Sequence, residues 1–203
     1  MKTKLLIAAF VILQSSLIVS LQAQSRFDAT VFAGANFCQI DGDQAGSYSH
    51  VGLRAGVGTS VALSSDVSSP WRMTVELAFT NKGSYNKTYN TTLSASYIEI
   101  PLLVTYSGME NRLRIGAGVA PAVKVGESFT NGYAGDNMFT TVDWLPLTLS
   151  VRYRFFEHLG IEARFQYSAL SVTNDNSNGT YFLVRSNKGC FHNLANLGLT
   201  YTF

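Results

Sequence analysis

The chain is poor in charge, in cysteine and in long apolar runs. Of its 203 residues only 14% are charged and two are cysteine. Mean hydropathy is just +0.11 although 46% of residues are hydrophobic. Apolar residues are therefore abundant but dispersed, which excludes a membrane protein built from several ~20-residue apolar helices. Signatures of common enzymes are missing as well: there is no G-x-S-x-G, H-E-x-x-H or phosphate loop. His50, His158 and His192 have no metal-ligand spacing to one another. Asp41-Gly42-Asp43 lacks the later ligands and terminal Glu of an EF-hand loop and reads as a polar turn. No catalytic residue, cofactor or metal is expected.

The first 23 residues read as an export signal. Lys2 and Lys4 form a positive start, Leu5–Leu13 is an apolar core, and Leu21-Gln22-Ala23 ends in a small residue suited to cleavage. That core is too short for a spanning helix. The expected division is a signal peptide at 1–23 and one β-barrel domain at 24–203. Without Lys2 and Lys4, 13 basic residues balance 13 acidic ones, so no nucleic-acid footprint is present. Three Asn-x-Thr sequons, at Asn86, Asn90 and Asn178, read as loop composition.

The mature chain alternates with period two, the pattern of strands with one apolar face. Eight segments show it: Phe27–Phe37, Val51–Leu63, Trp71–Asn81, Tyr97–Tyr106, Arg112–Val123, Trp144–Arg154, Leu159–Ala169 and Phe191–Phe203. Charges avoid the apolar parity. Asp28, Arg54, Arg72, Glu76, Glu99, Arg112, Arg114, Arg152, Arg154, Glu162 and Arg164 fall on the other face, with many glycines. A soluble barrel points its apolar face inward, whereas a membrane barrel points it toward lipid.

Three features favour the membrane arrangement. The segments match the ~9–11 residues of a tilted membrane strand, longer than the ~5–6 typical of soluble proteins. Connections alternate: Ser64–Pro70, Ser107–Asn111 and Phe155–His158 are short, whereas Cys38–His50, Lys82–Ser96, Lys124–Asp143 and Ser171–Gly189 are long and polar. Short periplasmic turns opposite long outer loops are the outer-membrane asymmetry, and they put both mature termini in the periplasm. Aromatics sit at segment ends, with Phe27, Trp71, Tyr106, Tyr153, Tyr201 and Phe203 at one interface and Phe37, Phe79, Tyr167 and Phe191 at the other. The expected fold is all-β: an eight-stranded, antiparallel, up-and-down transmembrane barrel of the cell outer membrane, monomeric and in contact with its lipid.

The ending Leu197-Gly198-Leu199-Thr200-Tyr201-Thr202-Phe203 resembles the C-terminal signature of outer-membrane barrels, which implies that Tyr201 and Phe203 present an insertion signal to the barrel insertion machinery. Phe32-Ala33-Gly34-Ala35-Asn36-Phe37-Cys38-Gln39-Ile40-Asp41-Gly42-Asp43, Val51-Gly52-Leu53-Arg54-Ala55-Gly56-Val57 and Tyr97-Ile98-Glu99-Ile100-Pro101-Leu102-Leu103 resemble strands of the PorT-like outer-membrane β-barrel family. The resemblance spans the mature chain and implies an eight-stranded barrel. Some members are linked to protein secretion.

Two constellations are candidate sites. Cys38 and Cys190 end the first and begin the last segment at the same rim, so barrel closure makes a disulfide a candidate in an oxidising compartment. The inward charges Asp28, Arg54, Arg72, Glu76, Glu99, Arg112, Arg114, Arg152, Glu162 and Arg164 are expected to pair and fill the narrow lumen of an eight-stranded barrel. The leading functional expectation is a non-enzymatic, porin-like barrel acting in envelope structure or through its outer loops, with the link to secretion that the resemblance implies. Those loops offer Tyr48, Tyr85, Tyr89, Phe129, Tyr133 and Phe139 to an envelope or secretion partner. The alternatives are a narrow, arginine-lined transport barrel or a lipid-modifying enzyme centred on His192; a soluble lipocalin-like binder is a distant third.

Overall fold

The computed structural model describes residues 27–43, 45, 48–64, 69–130, 138–173 and 189–203. The signal segment, Tyr133 and the sequon at Asn178 lie outside these residues. Eleven strands are formed: β1 (Phe27–Asp41), β2 (His50–Ala62), β3 (Trp71–Asn86), β4 (Thr91–Glu99), β5 (Leu102–Gly108), β6 (Leu113–Val119), β7 (Ala122–Thr130), β8 (Val142–Asp143), β9 (Pro146–Arg154), β10 (Leu159–Ser168) and β11 (Phe191–Thr202). β4 and β5 together make the fourth wall strand, β6 and β7 the fifth, and β8 and β9 the sixth. Neighbours pair antiparallel all the way round, and β1 pairs with both β2 and β11, so the wall closes into an eight-stranded barrel. Closure leaves the membrane wall without an edge.

Three prolines produce the breaks. Pro101, Pro121 and Pro146 lie in adjacent wall strands, where a missing N–H forbids one ladder bond each. Their carbonyls still accept: Glu76 N–H donates to Pro101 O, Ile100 N–H to Pro121 O, and Ala120 N–H to Pro146 O, all at 2.9 Å. Each pair of walls thus keeps one of the two bonds it would otherwise exchange at that level.

The side-chain faces follow the sequence parity. Val31, Leu53, Val57, Leu77, Ile98, Val104, Ile115, Leu149, Ile161 and Leu199 are exposed on the outside, while Arg54, Glu76, Glu99, Glu162 and Arg164 are buried inside. A water-soluble protein does not leave such a band uncovered; a lipid-facing wall requires it. At the periplasmic rim Phe27, Trp71, Tyr106, Tyr153, Tyr201 and Phe203 are exposed. Trp71 and Tyr106 meet edge-to-face at 5.2 Å, as do Tyr201 and Phe203 at 5.0 Å. At the outer rim Phe37 and Phe79 are exposed, but Tyr167 and Phe191 are not: they stack on each other at 6.2 Å and are buried.

Inward glycines answer a close-approach problem. A Cβ on Gly118 would lie 1.9 Å from Leu102 O, and one on Gly56 2.2 Å from Leu77 O and 2.8 Å from the Phe32 ring. Strands this close tolerate no side chain on the inner face at those positions.

The outer connections are shorter than the polar composition suggests. The expected loop Lys82–Ser96 is mostly hairpin, since β3 runs to Asn86, β4 begins at Thr91, and Asn86 pairs with Thr91. Likewise β7 runs past Lys124 to Thr130, paired to β4 as far as Thr92. The apolar face stops where lipid stops, but backbone pairing continues. A 16-residue strand exceeds the ~9–11 residues needed to cross. The outer ends of β3, β4 and β7 therefore form a three-stranded tongue outside the bilayer.

Candidate functional site

The lumen is filled by two unlike clusters. Alternation sends every second residue of each wall inward, and the glycines leave room for long side chains beside them. In the periplasmic half, Arg54, Arg152 and Arg164 converge on Glu76 and Glu162, a cluster that joins four wall strands, β2, β3, β9 and β10. Arg54 reaches Glu76 at 2.6 Å and Glu162 at 3.6 Å. Arg152 bridges Glu162 at 2.5 Å and Glu76 at 3.2 Å. Arg164 contacts each glutamate at 2.7 Å. The Arg54 guanidinium also lies 4.1 Å from the centre of the Phe32 ring. One level closer to the periplasm, Arg72 at 3.2 Å and Arg114 share Asp28.

The outer half is centred on Lys82. Its ammonium lies 2.8 Å from Glu99, 3.7 Å from Asp143 and 5.2 Å from the Tyr97 ring. Gln166 donates to Glu99 at 3.3 Å and Ser168 to Asp143 at 2.6 Å. Above them the Tyr97 hydroxyl and His192 Nε2 are 3.0 Å apart, and Phe139 stacks on the imidazole at 5.3 Å. Ile40, Ala95, Tyr97, Ala122, Phe139, Val172 and Cys190 pack as an apolar cluster at this end. Lys124 pairs with Glu127 and donates to Phe139 O at 2.6 Å, tying residues 138–142 over the opening.

Of the expected lumen charges, Asp28, Arg54, Arg72, Glu76, Arg114, Arg152, Glu162 and Arg164 are ion-paired together as above. Glu99 joins Lys82 instead. Arg112 corrects the expectation: it sits exposed in the turn before β6 and forms no ion pair among the described residues. That turn holds Met109, Glu110 and Asn111 at φ of 49°, 54° and 65°, which starts β6 one residue late. Lys82 and Asp143 stand at loop ends in the sequence pattern; Lys82 had a signal in the parity it shares with Glu76, whereas Asp143 has the opposite parity to Thr148 and turns inward because the alternation breaks at the two successive exposed residues Trp144 and Leu145.

The cysteine pair is a second correction. Cys38 and Cys190 are both buried and form no disulfide. Register is the reason, because Cys38 lies opposite Leu194 and Asp41 opposite Phe191. Cys190 is thus four residues up the strand from Cys38's partner, ~13 Å at ~3.3 Å per residue, well beyond the ~7 Å Cα limit. Its Sγ lies beside Gly42, and the Cys38 thiol is 3.8 Å from Asn81 O.

The loop aromatics divide. Tyr89 is 75% exposed, and Tyr48 is exposed with its hydroxyl donating to Asn193 at 2.8 Å. Tyr85 and Phe129 are half-buried strand residues, and Phe139 is buried against His192, so it is not available to a partner. Tyr201 and Phe203 point outward on the last strand, with Phe203 N–H donating to Ala29 O at 2.9 Å. His50 pairs with Asn81 Oδ1 at 3.0 Å, and His158 lies 2.7 Å from Thr202 O. Asp43 accepts from Ala45 N–H at 2.9 Å and from Ser84. Burial raises its pKa above the usual carboxylate value, with the Ser84 hydrogen bond opposing. Among the described residues no group of three or more His, Cys, Asp or Glu side chains is placed to hold a metal.

Comparison with known proteins agrees with this architecture. The model of a family described as the outer membrane protein β-barrel domain matches residues 22–174. Neisserial surface protein A superposes with a TM-score of 0.50 at 13% identity, over 88% of this chain and 97% of that one. Ail, the attachment invasion locus protein of Yersinia pestis, gives 0.48 at 12% identity over 88% and 99%. OprG from Pseudomonas aeruginosa gives 0.43 at 13% identity over 88% and 96%. No curated protein matches the chain.

Proposed function

Because the chain belongs to the outer membrane protein β-barrel domain family and resides in the cell outer membrane, we propose that it is a non-enzymatic, monomeric scaffold whose tongue and outer loops meet an envelope partner. The observation that carries this reading is the contrast between a filled lumen and a projecting tongue. Among the described residues ten ion pairs crowd the interior, whereas β3, β4 and β7 continue into water with Tyr89 at the tip and Val125 exposed on the side. A filled interior offers a solute little room. An exposed rigid hairpin with an aromatic tip suits contact with a partner. The strands that resemble PorT-like barrels support a partner in protein secretion, and the first 23 residues support export with cleavage after Ala23.

The test is a photo-crosslinking residue at Tyr89 in living cells, with one at Phe27 on the periplasmic rim as control. A discrete adduct with one envelope protein at position 89, absent at position 27, is the expected result. Steady conductance steps from purified protein in planar bilayers would overturn the filled-lumen reading in favour of a transport barrel. The intact mass of the mature chain reads the cleavage point.

A further inference from the structure

We propose that the periplasmic mouth of the barrel binds a phosphate oxyanion. Arg112, Arg114, Arg152 and Arg154 line one recess there, together with Thr200 and Thr202. Two of these arginines begin from bonded backbone: Arg154 N–H donates to Arg112 O at 2.8 Å, which holds both side chains at one corner. Arg154 spends a guanidinium N–H on Asn111 O at 3.2 Å. Neither Arg112 nor Arg154 forms an ion pair among the described residues.

The nearby carboxylates have nothing left to give. All four oxygens of Glu76 and Glu162 already accept from arginine. Arg54 Nε and Arg164 Nη1 are still without a hydrogen-bond partner. Asp28 is shared by Arg72 and Arg114. Glu110 and Glu157 stand exposed in the adjacent turns and make no ion pair with the recess among the described residues. Guanidinium donors therefore exceed carboxylate acceptors throughout this end.

Like charges held this close repel, and an anion between them relieves the repulsion. Guanidinium forks bind phosphate oxygens in pairs of parallel hydrogen bonds, and the Thr200 and Thr202 hydroxyls on β11 line the same recess. The recess opens to the periplasm, so the phosphate is either free or part of the headgroup of an inner-leaflet phospholipid.

Mature protein folded in a non-ionic detergent provides the test. The midpoint of its heat-modifiable gel transition is followed against inorganic phosphate, against chloride at matched ionic strength, and against a short-chain phosphatidylglycerol. R112Q, and R112Q with R154Q, are carried in parallel; R112Q removes an exposed, unpaired side chain and keeps the folded band. The expected result is a rise of several degrees with phosphate over chloride, reduced in R112Q and lost in the double variant. A rise with phosphatidylglycerol alone, lost in the same variants, assigns the phosphate to lipid. Equal midpoints in all three titrations, or a rise that survives the double replacement, overturns the proposal.

Discussion

At the periplasmic end the lumen holds arginines in excess, each carboxylate divided among two or three guanidinium groups. At the outer end it holds one buried lysine between two carboxylates, beneath a lid of aromatic and aliphatic side chains. The first cluster is joined by delocalised, bidentate charge and ties four walls together across the axis. The second joins β3, β4 and β8 and is sealed by packing. One end depends on keeping every charge paired; the other depends on volume. The two halves should respond differently to loss of charge and loss of bulk.

The largest effect is expected at Glu76. E76Q leaves Arg54, Arg152 and Arg164 to share Glu162, and removing one partner of a buried ion network costs about 3–5 kcal/mol. Urea unfolding of the folded barrel in lipid vesicles checks it; a loss under 1 kcal/mol would break the contrast from the periplasmic side. F139A tests the other half. It empties the space above His192 and should cost about 3 kcal/mol by cavity formation, with no salt dependence. G118A follows at about 1–3 kcal/mol, because its methyl meets the Leu102 carbonyl and the strands must part. Y97F removes only the hydroxyl beside His192 and should cost about 1 kcal/mol.

The smallest effect lies outside the bilayer, at Asp43. Its raised pKa means the folded loop favours the protonated acid. The stabilisation is present below the unfolded carboxylate value of about 4 and is lost as pH rises through the higher folded value. Thermal midpoints of wild type should therefore fall relative to D43N as pH rises above 4; parallel curves would remove Asp43 from the account.

Parity was legible because lipid and lumen impose opposite demands on alternate residues, and Leu53-Arg54 or Leu77 beside Glu76 shows that at once. The eight walls and the short turns follow from it. Strand ends were not legible. Lys82, Lys124 and Asp143 look like loop residues because polarity rises on both faces once a strand leaves the bilayer, while pairing carries on. Nor could the Cys38–Cys190 separation be read, since the register of two strands far apart in sequence is fixed by closure of the whole barrel. Arg112 failed for a local reason, three successive left-handed residues that lengthen its turn.

The row formed by Pro101, Pro121 and Pro146 crosses three adjacent walls within the lipid-facing band, level with Glu76 and below the outer-rim Phe79. It marks a joint for protein engineering. Below it β5, β6 and β9 lie wholly within that band, and above it β4 and β7 carry its upper part, with Ile98 and Val123, and then the tongue a partner would meet. A graft joined at Pro101 and Pro121 would exchange the upper leaf at a level where the ladder is already one bond short, and so would inherit an existing break instead of cutting a new one. Such chimeras, with one anchored base and many interchangeable tips, are the practical form in which this barrel could serve as a display platform.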